Sequence, residues 1–148
     1  KGLFLMKKFA FSMEKILSLR EFEKKQAQSE LGKAIAEETK IQETLELVAK
    51  QRVSSIKAAD GMSDLTSLYN INQYLALLDS RKEGLLQQLT EAHMVKEKKR
   101  AELKEAMQKV NVLEKLKEAK FKAWLLENKK SEAKEIDDIV NRQFNNGN

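Results

Sequence analysis

Apolar residues recur at alternating spacings of three and four along two stretches of this chain, the period of one face of an α-helix. The first stretch reads Met13, Leu17, Ala27, Leu31, Ala34, Ile41, Leu45 and Val48, with Ile35, Ala49 and Ile56 on its flank. Charged residues interrupt it at Lys24, Glu38 and Arg52. The second reads Leu75, Leu78, Leu85, Leu89, Ala92, Leu103, Ala106, Val110 and Leu113. It is interrupted at Lys82, Lys96 and Lys99 and continued by Leu116, Phe121, Trp124 and Leu125. Between the two lies Lys57-Ala-Ala-Asp-Gly-Met-Ser-Asp64, and no proline occurs anywhere to end a helix.

The pattern predicts an all-α fold, an antiparallel two-helix coiled-coil hairpin with a short helical segment at the bend. As one domain over 1–148, it places helix 1 at about 12–59, the bend at about 60–79 and helix 2 at about 80–143. Residues 1–8 and 145–148 are expected to fray. Ser12 is placed to cap helix 1, without a capping box because Lys15 holds the third position. Some 48 residues of helix make a rod of roughly 70 Å. A rod of this kind offers no pocket, so contact with other proteins is its expected role.

Polar seam positions are expected to set how the arms align. A tight turn at Gly61, with facing residue numbers adding to about 122, would set Lys24 against Lys96 to Lys99, a like-charge contact. A wider bend, with a sum near 138, sets Glu38 against Lys99 and Arg100, Lys24 against Glu114 and Glu118, and Phe22 against Leu116. The wider register is the expectation. The weakest stretch is then His93 to Arg100, where apolar content drops.

Composition supports this reading: 34% of residues are charged and 41% hydrophobic, thin for a globular core and usual for a long helix. No cysteine is present, so neither disulfides nor thiolate chemistry is available. No apolar run approaches the ~20 residues that span a bilayer. The opening Lys1-Gly-Leu-Phe-Leu5 is too short for a signal-peptide core, and Met6 is a candidate natural start. A lone histidine, His93, beside Leu89 and Ala92, reads as a helix-flank residue rather than a metal ligand. Five scattered glycines form no phosphate cradle, and pairs such as Glu37-Glu38 and Asp137-Asp138 lie on exposed helix surface. No catalytic, cofactor-binding or metal-binding residue is expected, and the pattern argues against an enzyme.

Charge is uneven within the net +5. Residues 1–25 hold seven basic and three acidic side chains, and residues 93–134 hold thirteen and seven. Residues 26–92 hold seven and ten. In a hairpin, the end carrying both termini is therefore basic and the bend mildly acidic, which favours an acidic partner at the basic end. Nucleic acid is a weaker reading, because glutamates are interleaved with the basic residues and few aromatics lie among them. Phe4, Phe9, Phe11, Phe22, Phe121, Trp124 and Phe144 gather near the termini, and Tyr69 and Tyr74 near the bend. They either cap the two ends of the seam or anchor partners there. Leu77, Leu78, Leu85 and Leu86 point to two faces, so some of them should stay exposed.

The run Phe9-Ala-Phe-Ser-Met-Glu-Lys-Ile-Leu-Ser-Leu-Arg-Glu-Phe-Glu23 resembles the start of the bacterial flagellar export FliJ family, where an aromatic–x–aromatic precedes an amphipathic Leu-Arg run. Leu113-Glu-Lys-Leu-Lys-Glu118, and Glu132 through Asp137-Asp138, are similar to that family's C-terminal arm. The resemblance covers Phe9 to Phe144, and its specificity lies in the ordered combination rather than in any one motif. It implies a non-enzymatic stalk of the flagellar type III export apparatus, similar to the central coiled coil of rotary ATPase gamma subunits. On that resemblance, the terminal end enters the hexameric export ATPase through Phe9, Phe11, Leu17, Arg20, Leu116, Lys120 and Trp124. The bend meets the transmembrane export gate through Tyr69, Tyr74, Leu78 and Leu85. Export chaperones are further implied partners, with no cofactor, and the place implied is the cytoplasm, peripheral to the cell membrane at the flagellar base. The same resemblance implies a monomer when alone. Two other classes fit the residues: a generic scaffold coiled coil that self-associates, and a basic hairpin that binds nucleic acid or membrane.

Overall fold

A computed structural model describes residues 8–147. The expectations about Lys1 to Leu5, Phe4 and Met6 fall outside these residues. Two helices, α1 (Glu14–Ala59) and α2 (Leu65–Asn146), pack against each other as a hairpin, and no strand occurs among the described residues. No described helix is long and apolar enough to cross a membrane. The chain divides into two compact units. One, the terminal unit, comprises 8–23 and 106–147 of the described chain; the other, the bend unit, comprises 24–105.

The first turn of α1 opens on the Met13 carbonyl, which accepts the Leu17 N–H at 2.9 Å, while the Phe11 carbonyl accepts from Glu14 at 3.1 Å. Ser12 therefore lies one residue before the capping position expected of it, because it sits inside the Phe11–Glu14 turn. At the other end, α1 stops in turns that bond Asp60 to Lys57 and Met62 to Ala59. No described residue has a positive φ, so Gly61 ends the helix through its poor helix propensity and not through a left-handed turn.

Asp64 starts α2. Its carbonyl accepts from Leu68 at 3.0 Å and its carboxylate accepts the Ser67 hydroxyl at 2.9 Å. That hydroxyl and the backbone N–H groups of Thr66 and Ser67 hold the Asp64 carboxyl below the usual aspartate range. This is an aspartate N-cap, satisfying donors that a helix start leaves open. The helical segment expected at the bend is thus present, but it runs unbroken from Leu65 into α2.

In the bend unit the seam keeps the predicted period. Ala34, Ile41 and Val48 are buried on α1 and Leu78 on α2, with Leu31, Leu45, Leu75, Leu85, Leu89 and Leu103 half-buried around them. The terminal unit has its own core of Phe11, Leu17, Val110 and Leu113, against which Phe9, Met13 and Leu116 pack.

The alignment differs from the wide register. Arg52 pairs with Asp79 at 2.9 Å, and Glu38 with Lys96 at 2.9 Å and His93 at 3.4 Å, so facing numbers add to about 131–134. Lys99 and Arg100, expected opposite Glu38, instead pair with Glu102 and Glu97 along their own helix. In the terminal unit Glu14 meets Lys117 at 2.9 Å, Glu118 is taken by Lys122, and Phe22 stands exposed rather than against Leu116. The cause is the bend: with α2 beginning at Leu65, residues 60–64 alone span the gap. The alignment is correspondingly about one heptad shorter.

Candidate functional site

The terminal unit gathers most of its predicted contact residues. Phe9, just before α1, lies edge-on to Phe121 with ring centroids 5.1 Å apart and tilted against Trp124 at 5.7 Å. Phe121 and Trp124, three residues apart on α2, stack at 5.6 Å. Such pairs add specific geometry to ordinary apolar burial. The Trp124 indole nitrogen is buried with no acceptor among the described residues. Phe11 and Leu17 are core residues at 9% and 3% exposure, and Leu116 packs half-buried beside them. Arg20 is half-buried and donates to Glu23 at 3.0 Å, while Lys120 is exposed.

Sequence reading missed two features here. One is a groove of about 460 Å³ lined by Phe9, Leu17, Glu21, Glu114, Lys117, Glu118 and Phe121. The other is an exposed apolar series on the last turns of α2, at Leu126, Ile136, Val140 and Phe144. Ile136, Val140 and Phe144 recur every four residues in the sequence, with Leu126 ten residues earlier, though charged neighbours obscured the pattern.

At the bend, Leu78 is buried at 3% exposure and Leu85 half-buried, so both are engaged in the seam. Tyr74 is at the margin of exposure and Tyr69 is 62% exposed. Tyr69 lies nine residues from Leu78, which on an α-helix is half a turn away, so it does not join Tyr74, Leu78 and Leu85 on one face. The outward leucines are Leu77 and Leu86. Deeper in the bend unit a groove of about 410 Å³ is lined by Leu45, Val48, Ala49, Val53, Leu78 and Leu86, with Arg52, Asp79 and Lys82 at its edge. The Arg52 guanidinium holds the Asp79 carboxyl below its usual range, and Asp79 raises Arg52 in return.

Among the described residues no three His, Cys, Asp or Glu gather to hold a metal. His93 is on the flank, where its Nδ1 faces Glu38.

Comparison with known proteins points to one family. The family model described as "Flagellar FliJ protein" matches residues 9–148. A Bacillus subtilis (strain 168) protein called "Flagellar FliJ protein" is 29% identical over 143 residues, spanning 92% of this chain and 95% of the relative. No solved structure matches. With the family model covering all but the first eight residues, the chain belongs to the flagellar FliJ protein family.

Proposed function

We propose that this chain, a flagellar export component by its family, is a non-enzymatic stalk that links the hexameric export ATPase to the transmembrane export gate. The terminal end enters the ATPase ring and the bend contacts the gate, placing the chain at the inner face of the membrane at the flagellar base. A single asymmetric chain inside a symmetric ring touches each subunit differently, so it biases their nucleotide states through differential binding. Export chaperones dock on the same component.

The observation that carries this reading is the exposed series Leu126, Ile136, Val140 and Phe144, with Phe144 73% exposed. An apolar stripe left uncovered at one end is what a buried interface would use. At that end, Phe9, Phe11, Leu17, Leu116 and Trp124 build the support, and Arg20 and Lys120 supply charge. At the bend Tyr69 and Tyr74 are the accessible anchors, while Leu78 and Leu85 hold the helix that presents them.

The test uses the full chain with purified ATPase and the cytoplasmic part of the gate. Ile136→Ser with Val140→Ser should weaken ATPase binding and leave gate binding intact; Tyr69→Ala with Tyr74→Ala should do the reverse. Loss of neither interaction in either variant would reject the two-ended stalk. A sedimentation measurement showing a stable dimer would favour a self-associating scaffold instead.

A further inference from the structure

We propose that the groove of the terminal unit is a docking site for a basic amphipathic helix of a partner protein. Its floor is apolar, formed by Phe9, Leu17 and Phe121. Its rim carries three carboxylates, Glu21, Glu114 and Glu118, against one lysine, Lys117. That lysine also pairs with Glu14 at 2.9 Å, with side chains 40% and 51% exposed, so its charge is shared between the groove and Glu14. Glu118 reaches only Lys122 on its own helix, in a pair whose side chains are 65% and 72% exposed. Such a pair neutralises little. Glu21 and Glu114 have no ion pair among the described residues.

Flank positions of paired helices ordinarily match opposite charges across the seam. Here Glu21 on α1 and Glu114 on α2 line the same groove with like charge. Lys117 leaves the rim with a net negative charge, although the terminal segments are rich in lysine. A third helix laid in the groove would bury apolar side chains on Phe9 and Phe121, over the buried Leu17, and bring Arg or Lys to the three carboxylates. Helix-in-groove recognition uses this geometry, with anchors at every third or fourth residue. The inference stands apart from the stalk reading, which rests on the exposed stripe beyond the groove.

The probe is a synthetic helical peptide with leucines at three- and four-residue spacings and arginines flanking them, beside a twin carrying Glu in place of Arg. Trp124, the one tryptophan of the chain, stacks on the groove residue Phe121 and reports occupancy by fluorescence. The Arg peptide should bind the full chain and the Glu twin should not. Glu21→Gln, Glu114→Gln and Glu118→Gln together should weaken the Arg peptide roughly tenfold at low salt, with the gap closing as salt rises. A control triple outside the groove, Glu127→Gln, Glu132→Gln and Asp138→Asn, removes the same charge and should bind as the parent does. Equal loss in both triples, equal binding of both peptides, or no loss in the groove triple would each overturn the proposal. Circular dichroism on every variant keeps unfolding from being read as lost binding.

Discussion

Glu38 interrupts the apolar seam of α1, and its side chain is only 13% exposed. The hydrogen bond from Lys96 is the main reason its carboxyl sits below the usual glutamate range; partial burial opposes this, and Lys96 and His93 charges add to it. The remaining oxygen, Oε2, faces His93 Nδ1 at 3.4 Å, an ion-pair distance rather than a well-formed hydrogen bond. A carboxyl lowered on folding stabilises the fold above its unfolded value of 4.5, and that contribution is lost as pH falls through the folded value. The melting temperature should therefore drop on acidification below about pH 4.5, and drop less steeply in Glu38→Gln. Identical acid profiles would show that the pair contributes nothing. Lys96→Met should lower the melting temperature at neutral pH more than Glu38→Gln does, since it leaves a shielded carboxylate unpaired. Leu17→Ala, at a site 3% exposed, should cost about 2–5 kcal/mol in chemical denaturation. At this scale the sequence told which residues are seam residues, because period alone decides that. It did not tell that Phe11, Leu17 and Leu78 are buried too deeply to be primary contacts, because an interface anchor and a core residue share the same composition.

The two helices were legible as elements because their signals are local. A proline-free run with apolar period 3.6 on each side of Asp60-Gly61 requires no tertiary information. A helical segment over the bend was legible, but its continuity with α2 was not: it runs unbroken from Leu65 to Asn146, with the Asp64 cap bonds fixing its start. Asp64→Ala should let the first turns of α2 fray. Amide exchange of residues 66–68 should accelerate while that of the Val48 and Leu78 layer stays unchanged. Unaltered exchange at 66–68 would mean that packing, not the cap, holds this end. The groove of the terminal unit was equally hidden. Its acidic rim comes from two helices far apart in sequence, and a segment count of charge, basic overall, averaged it away.

For the hairpin as a whole, a heptad seam is degenerate: sliding one helix by seven residues again puts apolar against apolar. Registers adding to about 123, 130 and 137 are all compatible with the period. The charged seam residues discriminate among them only once the loop length is known. With the middle one adopted in the bend unit, Glu38 reaches His93 and Lys96, and Arg52 reaches Asp79. A short bifunctional reagent should join cysteines introduced by Glu38→Cys and His93→Cys faster than those from Glu38→Cys and Arg100→Cys. The opposite order would restore the wide alignment.

The five residues from Asp60 to Asp64 act on this ladder of equivalent alignments as a tether of fixed length. From Ala59 to Leu65 the chain reaches roughly 20 Å when fully extended. Crossing to the neighbouring helix and climbing the first turns of α2 takes up about 13 Å of that. A further seven-residue slide would add ~10 Å and exhaust the slack, whereas a slide the other way is opposed by loss of the Glu38–Lys96 and Arg52–Asp79 pairs and by the clash of Lys24 with Lys99, with no limit set by the tether. The tether is thus a one-way stop, and lengthening it by seven flexible residues after Gly61 should let a second alignment appear beside the first.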